Sequence, residues 1–224
     1  MTKVLHVAAS ARGSASISRR VASELIAALS HDDPTLHVVD RDLAAEPPPH
    51  PDATFAAASL MVEAERGDAE RRALKRSERL IGELESSDIV VVSTPMHNFA
   101  VPSALKAWID HVVRPSRTFR ATPTGKVGLL TNRPTLAIVA CGGRFDDGGL
   151  GLSQVDHLSP YLRYVFATIG LTDFEWLRLE QLRRGSEAVE RGLAAAGAWI
   201  EAQRARLARG CSGGAIGRRE PFEI

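Results

Sequence analysis

Short apolar runs and longer amphipathic stretches alternate along this chain. Five of these runs have the length of strands, and they lie at 4–9, 36–39, 88–93, 135–141 and 173–179. The continuous Ile-Val-Val-Val run within 88–93 is typical of a central parallel strand that is covered on both faces. The pattern therefore predicts five buried strands.

The stretches between these runs have helical spacing. Helices are predicted over 17–29, over 54–86 with a break near Gly67, and over 102–113, 161–170 and 186–209. Two proline- and glycine-rich segments, 42–52 and 114–134, are predicted as loops. The glycine-rich residues 210–224 are expected to form a mobile tail.

Strands that alternate with helices predict the α/β class, with a doubly wound parallel sheet and helices on both faces. The chain has 224 residues. This length suffices for one α/β core, whereas two domains would be cramped. We therefore expect residues 1–209 to form a single domain that precedes the tail.

Charge and composition exclude several classes of function. The formal net charge is +1, with 44% hydrophobic and 25% charged residues, so no overall field favours nucleic acid or a membrane surface. The basic residues between Arg71 and Arg79 alternate with acids and lack the interleaved aromatic residues of a strand-binding surface. A nucleic-acid role is the least favoured alternative.

The chain shows no targeting pattern and few cysteines. Its first ten residues enter a strand pattern without the apolar run of a signal peptide, and no run of about 18 apolar residues follows. Cys141 and Cys211 are too few and too far apart for a disulfide framework or a zinc site. We expect a cytoplasmic location and no metal.

In a doubly wound sheet, ligands bind beyond the carboxyl ends of the strands, near the switch point. The loop after the first strand, SARGSASISRR, has hydroxyls at Ser10, Ser16 and Ser18 and free N–H groups where a helix begins. Its first helical turn holds Arg19 and Arg20 but no acid, against the preference of the helix dipole. A bound phosphate would explain this pattern; the alternative is that a serine simply caps the helix.

The loop after the third strand, TPMHNFAVP, places a sulfur, an imidazole, an amide and a phenyl ring side by side. Met96 and Phe99 offer polarizable, flat apolar surface, and the Asn98 amide can donate and accept. This mixture suits a flat heteroaromatic ligand with polar edges. The alternative is a packed corner in which Met96 and Phe99 fill the core and Asn98 satisfies the turn.

The loop after the fourth strand, ACGGRFDDGGLG, has paired glycines that let a backbone approach a ligand and direct N–H groups at it. A flexible turn is the alternative. Cys141 could be a nucleophile, but a phosphatase-type loop needs a correctly spaced arginine and Arg144 is too close. A buried cysteine at the end of a strand is favoured.

Together the three loops resemble those of the FMN-dependent NADH:quinone oxidoreductase and azoreductase family, from about residue 3 to about residue 209. Ser10 with Ser16-Ile17-Ser18 matches the Ser-x5-Ser-x-Ser of that family, and Met96-His97-Asn98-Phe99 is similar to its Met-Tyr-Asn-Phe. Further similar segments are Thr118-Phe119-Arg120, Ala140-Cys141-Gly142-Gly143, Tyr161-Leu162 and 169–173.

The chain departs from the family pattern at three places. His97 replaces a tyrosine, Ala140-Cys141 replaces Ser-Arg and so removes a hydroxyl and a cation, and Ala121 stands where an aromatic residue is common. None of these changes removes the flavin-binding scaffold. These changes are expected to affect the choice of substrate and the reduction potential of the flavin.

The resemblance implies a flavodoxin-like fold with sheet order 2-1-3-4-5, tightly bound FMN, NADH or NADPH as donor, a quinone or azo compound as acceptor, and a homodimer. Hydride would pass to flavin N5 in a ping-pong cycle, with no catalytic side chain. The implied cofactor contacts are Ser10, Ser16, Ile17, Ser18, Met96, His97, Asn98, Phe99, Ala140, Cys141, Gly142 and Gly143. The implied substrate pocket is Phe119, Ala121, Tyr161 and Phe166.

Two other readings keep the fold but change the function. The first is a one-electron flavodoxin-like carrier, although such carriers are usually shorter and strongly acidic. The second is a regulatory or scaffold protein that has kept the fold and binds no flavin, which the altered Ala140-Cys141 segment would permit. The sequence contains no recognisable ribose-phosphate site that would distinguish NADH from NADPH.

Overall fold

A computed structural model describes residues 1–145 and 154–212, with side chains through residue 209. The strands are β1 (Lys3–Ala8), β2 (His37–Asp42), β3 (Ile89–Pro95), β4 (Phe119–Thr122), β5 (Gly125–Gly128), β6 (Thr135–Ala140) and β7 (Phe174–Leu179). The helices are α1 (Ile17–Asp32), α2 (Ala53–Leu60), α3 (Asp68–Glu85), α4 (Ser103–Val112), α5 (Ser159–Thr168) and α6 (Ser186–Ser212).

The main sheet has five parallel strands in the order β2-β1-β3-β6-β7. Its registers align Ala8 with Ser93, and Pro95 with Ala140, so β1, β3 and β6 end at the same edge. This topology confirms the predicted fold class and the order 2-1-3-4-5, counted over the main-sheet strands. It places the loops after β1, β3 and β6 at one edge of the molecule.

The two faces of the sheet carry two separate apolar clusters. Val90 and Val92 point to one face and pack with side chains of α3, α4 and α5, whereas Val91 points to the other and packs with α1 and α6. This division follows from the two-residue period of a strand. Because both faces are covered, the central strands β1, β3 and β6 are apolar at most positions, whereas the edge strands β2 and β7 hold more charged residues.

Three predicted boundaries differ from the structure. The segment predicted as a loop over 114–134 contains the antiparallel hairpin β4–β5, whose four-residue strands are too short for a periodic signal. Strand β2 continues through polar residues to Asp42, because it is an edge strand with one exposed side. Helix α6 extends into the predicted tail as far as Ser212; the rest of that tail, 213–224, lies outside the described residues.

The described residues contain neither a helix that could cross a membrane nor a cluster of side chains that could hold a metal ion. None of their helices combines the length and the apolarity that crossing a bilayer requires. Nor do they contain a group of three or more His, Cys, Asp or Glu side chains that could hold a metal ion.

Candidate functional site

Backbone hydrogen bonds tie the three candidate loops together at the carboxyl edge of the sheet. Ala9 N–H donates to Ser93 O at 2.9 Å, and Met96 N–H donates to Ala140 O at 2.9 Å. Cys141 N–H in turn donates to Leu179 O at 2.7 Å. The loop after β1, the loop after β3 and the glycine segment after β6 are therefore lateral neighbours.

The loop after β1 forms a serine-lined entry to α1. Ser16 caps the helix, and its Oγ accepts from Arg19 N–H at 3.3 Å and lies 3.2 Å from Ser18 Oγ. Ser10 is also buried, with its Oγ 3.4 Å from Arg12 N. The capping alternative is thus correct for Ser16. The other first-turn N–H groups, including those of Ile17 and Ser18, lack a carbonyl four residues earlier within the helix and can face an anion.

The basic first turn of α1 has partners that the sequence did not reveal. Arg19 Nη2 lies 2.8 Å from Asp42 Oδ2, as an ion pair outside hydrogen-bonding geometry, and Arg20 Nε bonds Glu24 Oε1 at 2.9 Å. Burial acts to raise the pKa of Asp42, but N–H groups of the following loop and the Arg19 charge outweigh it and hold that pKa low. The missing acid in this turn therefore does not by itself require an anion. The free N–H groups and the serines support the phosphate hypothesis instead.

The loop after β3 is a tight turn with an unusual backbone. His97 and Ala100 exchange two backbone hydrogen bonds, of 3.0 and 2.9 Å, and the two residues between them both have positive φ. Asn98 has φ 47° and Phe99 has φ 68°, as at the centre of a type I′ turn. Asparagine adopts this region readily, whereas for a phenylalanine it is an uncommon and strained conformation. Such strain is a reason to infer function at this turn.

The turn presents its side chains to solvent instead of packing them. Phe99 is 46% exposed, His97 and Asn98 are exposed, and only Met96 packs against the core. His157 N–H donates to Phe99 O at 3.2 Å, which ties the turn to the segment before α5. The packed-corner alternative therefore holds for Met96 only. A large ring on a strained, exposed turn is suited to contact a ligand.

Cys141 begins the glycine segment and is buried, with 1% of its surface exposed. Burial, with the charges of Asp156 and Glu180, raises the pKa of its thiol to about 12, which favours the neutral thiol and argues against a nucleophilic role. This agrees with the buried cysteine that the sequence favoured. The residues that follow, Gly142 and Gly143, continue alongside the loop after β7, since Leu182 N–H donates to Cys141 O and Gln181 N–H to Gly143 O.

An arginine clamp fixes the ends of the glycine loop, and sequence reasoning missed it. Arg178 donates to Asp156 Oδ2 at 2.8 Å, to Glu180 Oε1 at 2.6 Å and to Phe145 O at 2.9 Å. Asp156 Oδ1 also accepts from two N–H groups at the start of α5. These contacts join residues far apart in the chain, so no local signal could have revealed them. Gly148, Gly149 and Gly151, also singled out from the sequence, lie outside the described residues.

The four predicted pocket residues do not come together in one chain. Tyr161, at the start of α5, is half-buried beside α4 on the side of the three loops, and burial raises the pKa of its phenol. Phe166 is a correction, because it is completely buried and stacks on Phe174 in the core, so it cannot line a pocket. Phe119 and Ala121 lie in the hairpin, where Phe119 is largely buried, with 9% of its surface exposed, and Ala121 is exposed.

The base of that hairpin lies near the amino edge of the sheet, opposite the three loops. Phe119 pairs with Gly128, and the backbone of Gly128 packs against Gly170, just before the amino end of β7. Leu130 N–H also donates to Ile169 O. Within one chain, Phe119 and Asn98 therefore lie toward opposite edges of the sheet.

Comparison with known proteins assigns the chain to one family over most of its length. A family model described as a flavodoxin-like fold matches residues 2–203. The chain is 56% identical over 199 residues to FMN-dependent NADH:quinone oxidoreductase 2 of Cupriavidus pinatubonensis, covering 89% of this chain and 96% of that protein. It is 40% identical over 196 residues to the FMN-dependent NADH:quinone oxidoreductase of Azotobacter vinelandii, covering 88% and 96%.

Solved structures of azoreductases superpose on this chain over most of its length. An FMN-dependent NADH-azoreductase from Bacillus anthracis, determined in complex with FMN, superposes with a TM-score of 0.80 at 25% identity and covers 92% of this chain and 99% of its own. A second azoreductase structure from Bacillus anthracis gives a TM-score of 0.78 at 25% identity.

Proposed function

Because the chain belongs to the family of the FMN-dependent NADH:quinone oxidoreductases, within the flavodoxin-like fold, we propose that it transfers two electrons from NAD(P)H, through bound FMN, to a quinone or an azo compound. One observation carries the proposal: the 56% identity to such an oxidoreductase extends over 89% of the chain, and the matching family model, over residues 2–203, spans all three loops at the carboxyl edge. A ping-pong order, in which the donor leaves before the acceptor binds, is part of the proposal.

The entry to α1 fits the phosphate of FMN. Ser10, Ser16 and Ser18 are buried hydroxyl residues around first-turn N–H groups, with Ser16 and Ser18 Oγ 3.2 Å apart. A helix N-terminus with hydroxyl donors favours a dianion through both hydrogen bonds and the helix dipole. Ile17 would contribute its backbone N–H, since its side chain packs against the core cluster under α1.

The turn after β3 and the glycine segment fit the flavin ring. Met96, His97, Asn98 and Phe99 would line one side of the ring, and the exposed amide of Asn98 can bond its polar edge. Gly142 and Gly143 would approach on the other side together with Ala140 and Cys141. Since the Cys141 thiol is buried, that residue would contribute its backbone only.

Bound FMN would supply the redox chemistry, accepting hydride at N5 and passing two electrons to the acceptor. The chain itself would orient the ring, and the N–H groups of Gly142 and Gly143 would stabilise the negative charge that reduction places near N1 and O2. No side chain needs to act as a base in this scheme. This is why His97, although exposed in the turn, has no catalytic role in the proposal.

We infer a homodimer from the separation of the pocket residues. The hairpin that carries Phe119 and Ala121 has its base near the amino edge, so a pocket that joined these residues to Asn98 and Tyr161 would need the hairpin of a second copy. A two-fold dimer would supply it to both sites, because its interface is self-complementary.

The test is to purify the protein, measure its spectrum, and mix it with NADH or NADPH and menadione. We expect a yellow protein that releases FMN on denaturation and oxidises the nucleotide rapidly only when the acceptor is present. A colourless protein after reconstitution with FMN would favour a scaffold without flavin. A one-electron-reduced form that persists during titration, without direct reduction by NADH, would favour an electron carrier.

A further inference from the structure

The loop after β7 places an arginine against the glycine segment. A Cβ atom on Gly142 would lie 3.1 Å from Arg183 Cδ, 3.2 Å from Cγ and 3.4 Å from Nε. The stem of Arg183 therefore packs where any other residue at 142 would carry its side chain. This contact sets the guanidinium beside the backbone that is proposed to face the flavin.

The loop that carries Arg183 is fixed by backbone hydrogen bonds. Leu182 N–H donates to Cys141 O at 3.1 Å, Gln181 N–H to Gly143 O at 2.8 Å, and Arg184 N–H to Gln181 O at 2.8 Å. Gln181 has φ 60° and Gly185 has φ 99°, so both ends of the turn use the left-handed region. Arg183 thus sits on a defined turn that extends the pairing of β6 and β7.

The other charges around the glycine segment are already paired. Arg178 bonds both Asp156 and Glu180, and Arg144 has an interaction of its own. Within the ranges the structure describes, Arg183 is exposed and has no hydrogen-bond or ion-pair partner. Among Asp156, Glu180, Arg178 and Arg183 the formal charges cancel. Without Arg183, these groups would carry one net negative charge.

We propose that Arg183 is a charge-tuning residue that stabilises two-electron-reduced FMN at the glycine end of the site. This inference rests on the proposed function. Reduced flavin carries negative charge near N1 and O2, so an unpaired cation beside Gly142 favours it over the neutral oxidised ring. Neither of the residues that begin the glycine segment, Ala140 and Cys141, supplies a positive charge.

The experiment measures the two-electron midpoint potential of bound FMN in Arg183→Met, which keeps the apolar stem and removes the charge. We expect the affinity for reduced FMN relative to oxidised FMN to fall roughly tenfold, because an opposite charge is lost near the reduced ring. For a two-electron couple, tenfold corresponds to a potential lower by about 30 mV. The shift should shrink at high ionic strength, and Arg183→Lys should restore most of it.

The matched control is Arg184→Met, which removes the neighbouring exposed cation. The inference is overturned if Arg183→Met and Arg184→Met have the same potential as the wild-type protein, or if Arg183→Met weakens oxidised and reduced FMN equally, as a purely structural role would. In both of these cases a wild-type protein that binds FMN and oxidises NADH leaves the proposed function standing. A wild-type protein that retains no FMN would overturn both proposals.

Discussion

At the scale of single residues, the turn at Asn98 and Phe99 carries the clearest functional signal. Both residues have positive φ, and the large ring of Phe99 stays 46% exposed. Strain and exposure together lower stability without a packing gain in the single chain. His97, the residue with the most evident chemistry in this loop, is exposed at its edge. The backbone of the turn is therefore more informative than its imidazole.

Substitution of Asn98 separates the amide from the backbone. Asn98→Gly keeps the positive φ at little cost and removes the amide, whereas Asn98→Ala also strains the turn. We expect both variants to bind FMN more weakly, roughly twofold to tenfold for one lost hydrogen bond, with Asn98→Ala the weaker. Fluorescence titration of apoprotein with FMN measures this affinity.

His97→Ala is the comparison variant and should retain most of its NADH-oxidising rate. Complete loss of turnover with FMN still bound would refute the proposal that no side chain acts as a base.

The lowered pKa of Asp156 predicts that the stability of the fold depends on pH. Burial acts to raise its pKa, but hydrogen bonds from Ser159, from the Arg178 side chain and from the Leu158 N–H outweigh burial and hold the pKa below its usual value. A depressed carboxyl pKa stabilises the fold above the unfolded value of about 3.9, and this contribution is lost as the pH falls through the folded value. We expect Asp156→Asn to lower the free energy of unfolding by roughly 1 to 3 kcal/mol at pH 7.

Urea titrations from pH 7 down to pH 3 measure this contribution. The difference between wild type and Asp156→Asn should shrink as the pH falls below about 5. Glu187→Gln, which alters an exposed pair with Arg191, should leave stability nearly unchanged at every pH. A difference that is constant with pH would show that the charge of Asp156 is not the cause.

At the scale of elements, the hairpin β4–β5 depends on a glycine-to-glycine contact. A Cβ on Gly128 would lie 2.2 Å from Gly170 N and 2.5 Å from Ile169 C. These are backbone atoms, so no side chain can move aside. Gly170 itself has φ 102°, which only glycine adopts readily. The approach of the hairpin to the end of α5 therefore requires glycine at both positions.

We expect Gly128→Ala to destabilise the protein by roughly 1 to 3 kcal/mol through overpacking. Gly82→Ala is the matched control, since a Cβ at Gly82 in α3 meets nothing within 4 Å. That change should stabilise the protein by up to about 1 kcal/mol, because alanine favours a helix. Thermal unfolding of the three proteins measures both effects. Equal melting temperatures for Gly128→Ala and wild type would mean that the hairpin can move away from α5.

At the scale of the whole molecule, the two edges of the sheet have different roles. The carboxyl edge holds the serine loop, the strained turn and the glycine segment, while the hairpin base lies near the amino edge. A pocket that contains both Asn98 and Phe119 therefore needs two chains. The proposed dimer follows from this geometry as well as from the family resemblance.

Mixed dimers test whether the site is shared between copies. Asn98→Ala and Ala121→Trp, which puts a large ring at the exposed hairpin position, should each be impaired alone. After the two variants are mixed and allowed to exchange subunits, a mixed dimer with a shared site has one site with both native residues, so the rate should rise above that of either variant. Light scattering should give twice the 24.2 kDa of one chain. A monomeric mass, or no gain in rate on mixing, would contradict the shared site.

Much of the fold was predictable because its signals are local. The central strands are apolar at most positions, and the break near Gly67 separates α2 from α3 as expected. The hairpin was missed because each of its strands has only four residues, and because the surrounding proline and glycine residues are typical of a loop. Phe166 was misassigned because an aromatic residue at helical spacing has the same pattern in a core as in a pocket.

The sequence by itself determined the order of strands and helices, the absence of a large net charge, and the three loops with their serine, MHNF and glycine motifs. These features depend on residues that are neighbours in the chain. Only the tertiary structure decided that Asp42 pairs with Arg19, that Arg178 clamps the glycine loop, and that Arg183 packs on Gly142. Such contacts depend on the register and twist of the sheet, which bring distant residues together and which no local pattern encodes.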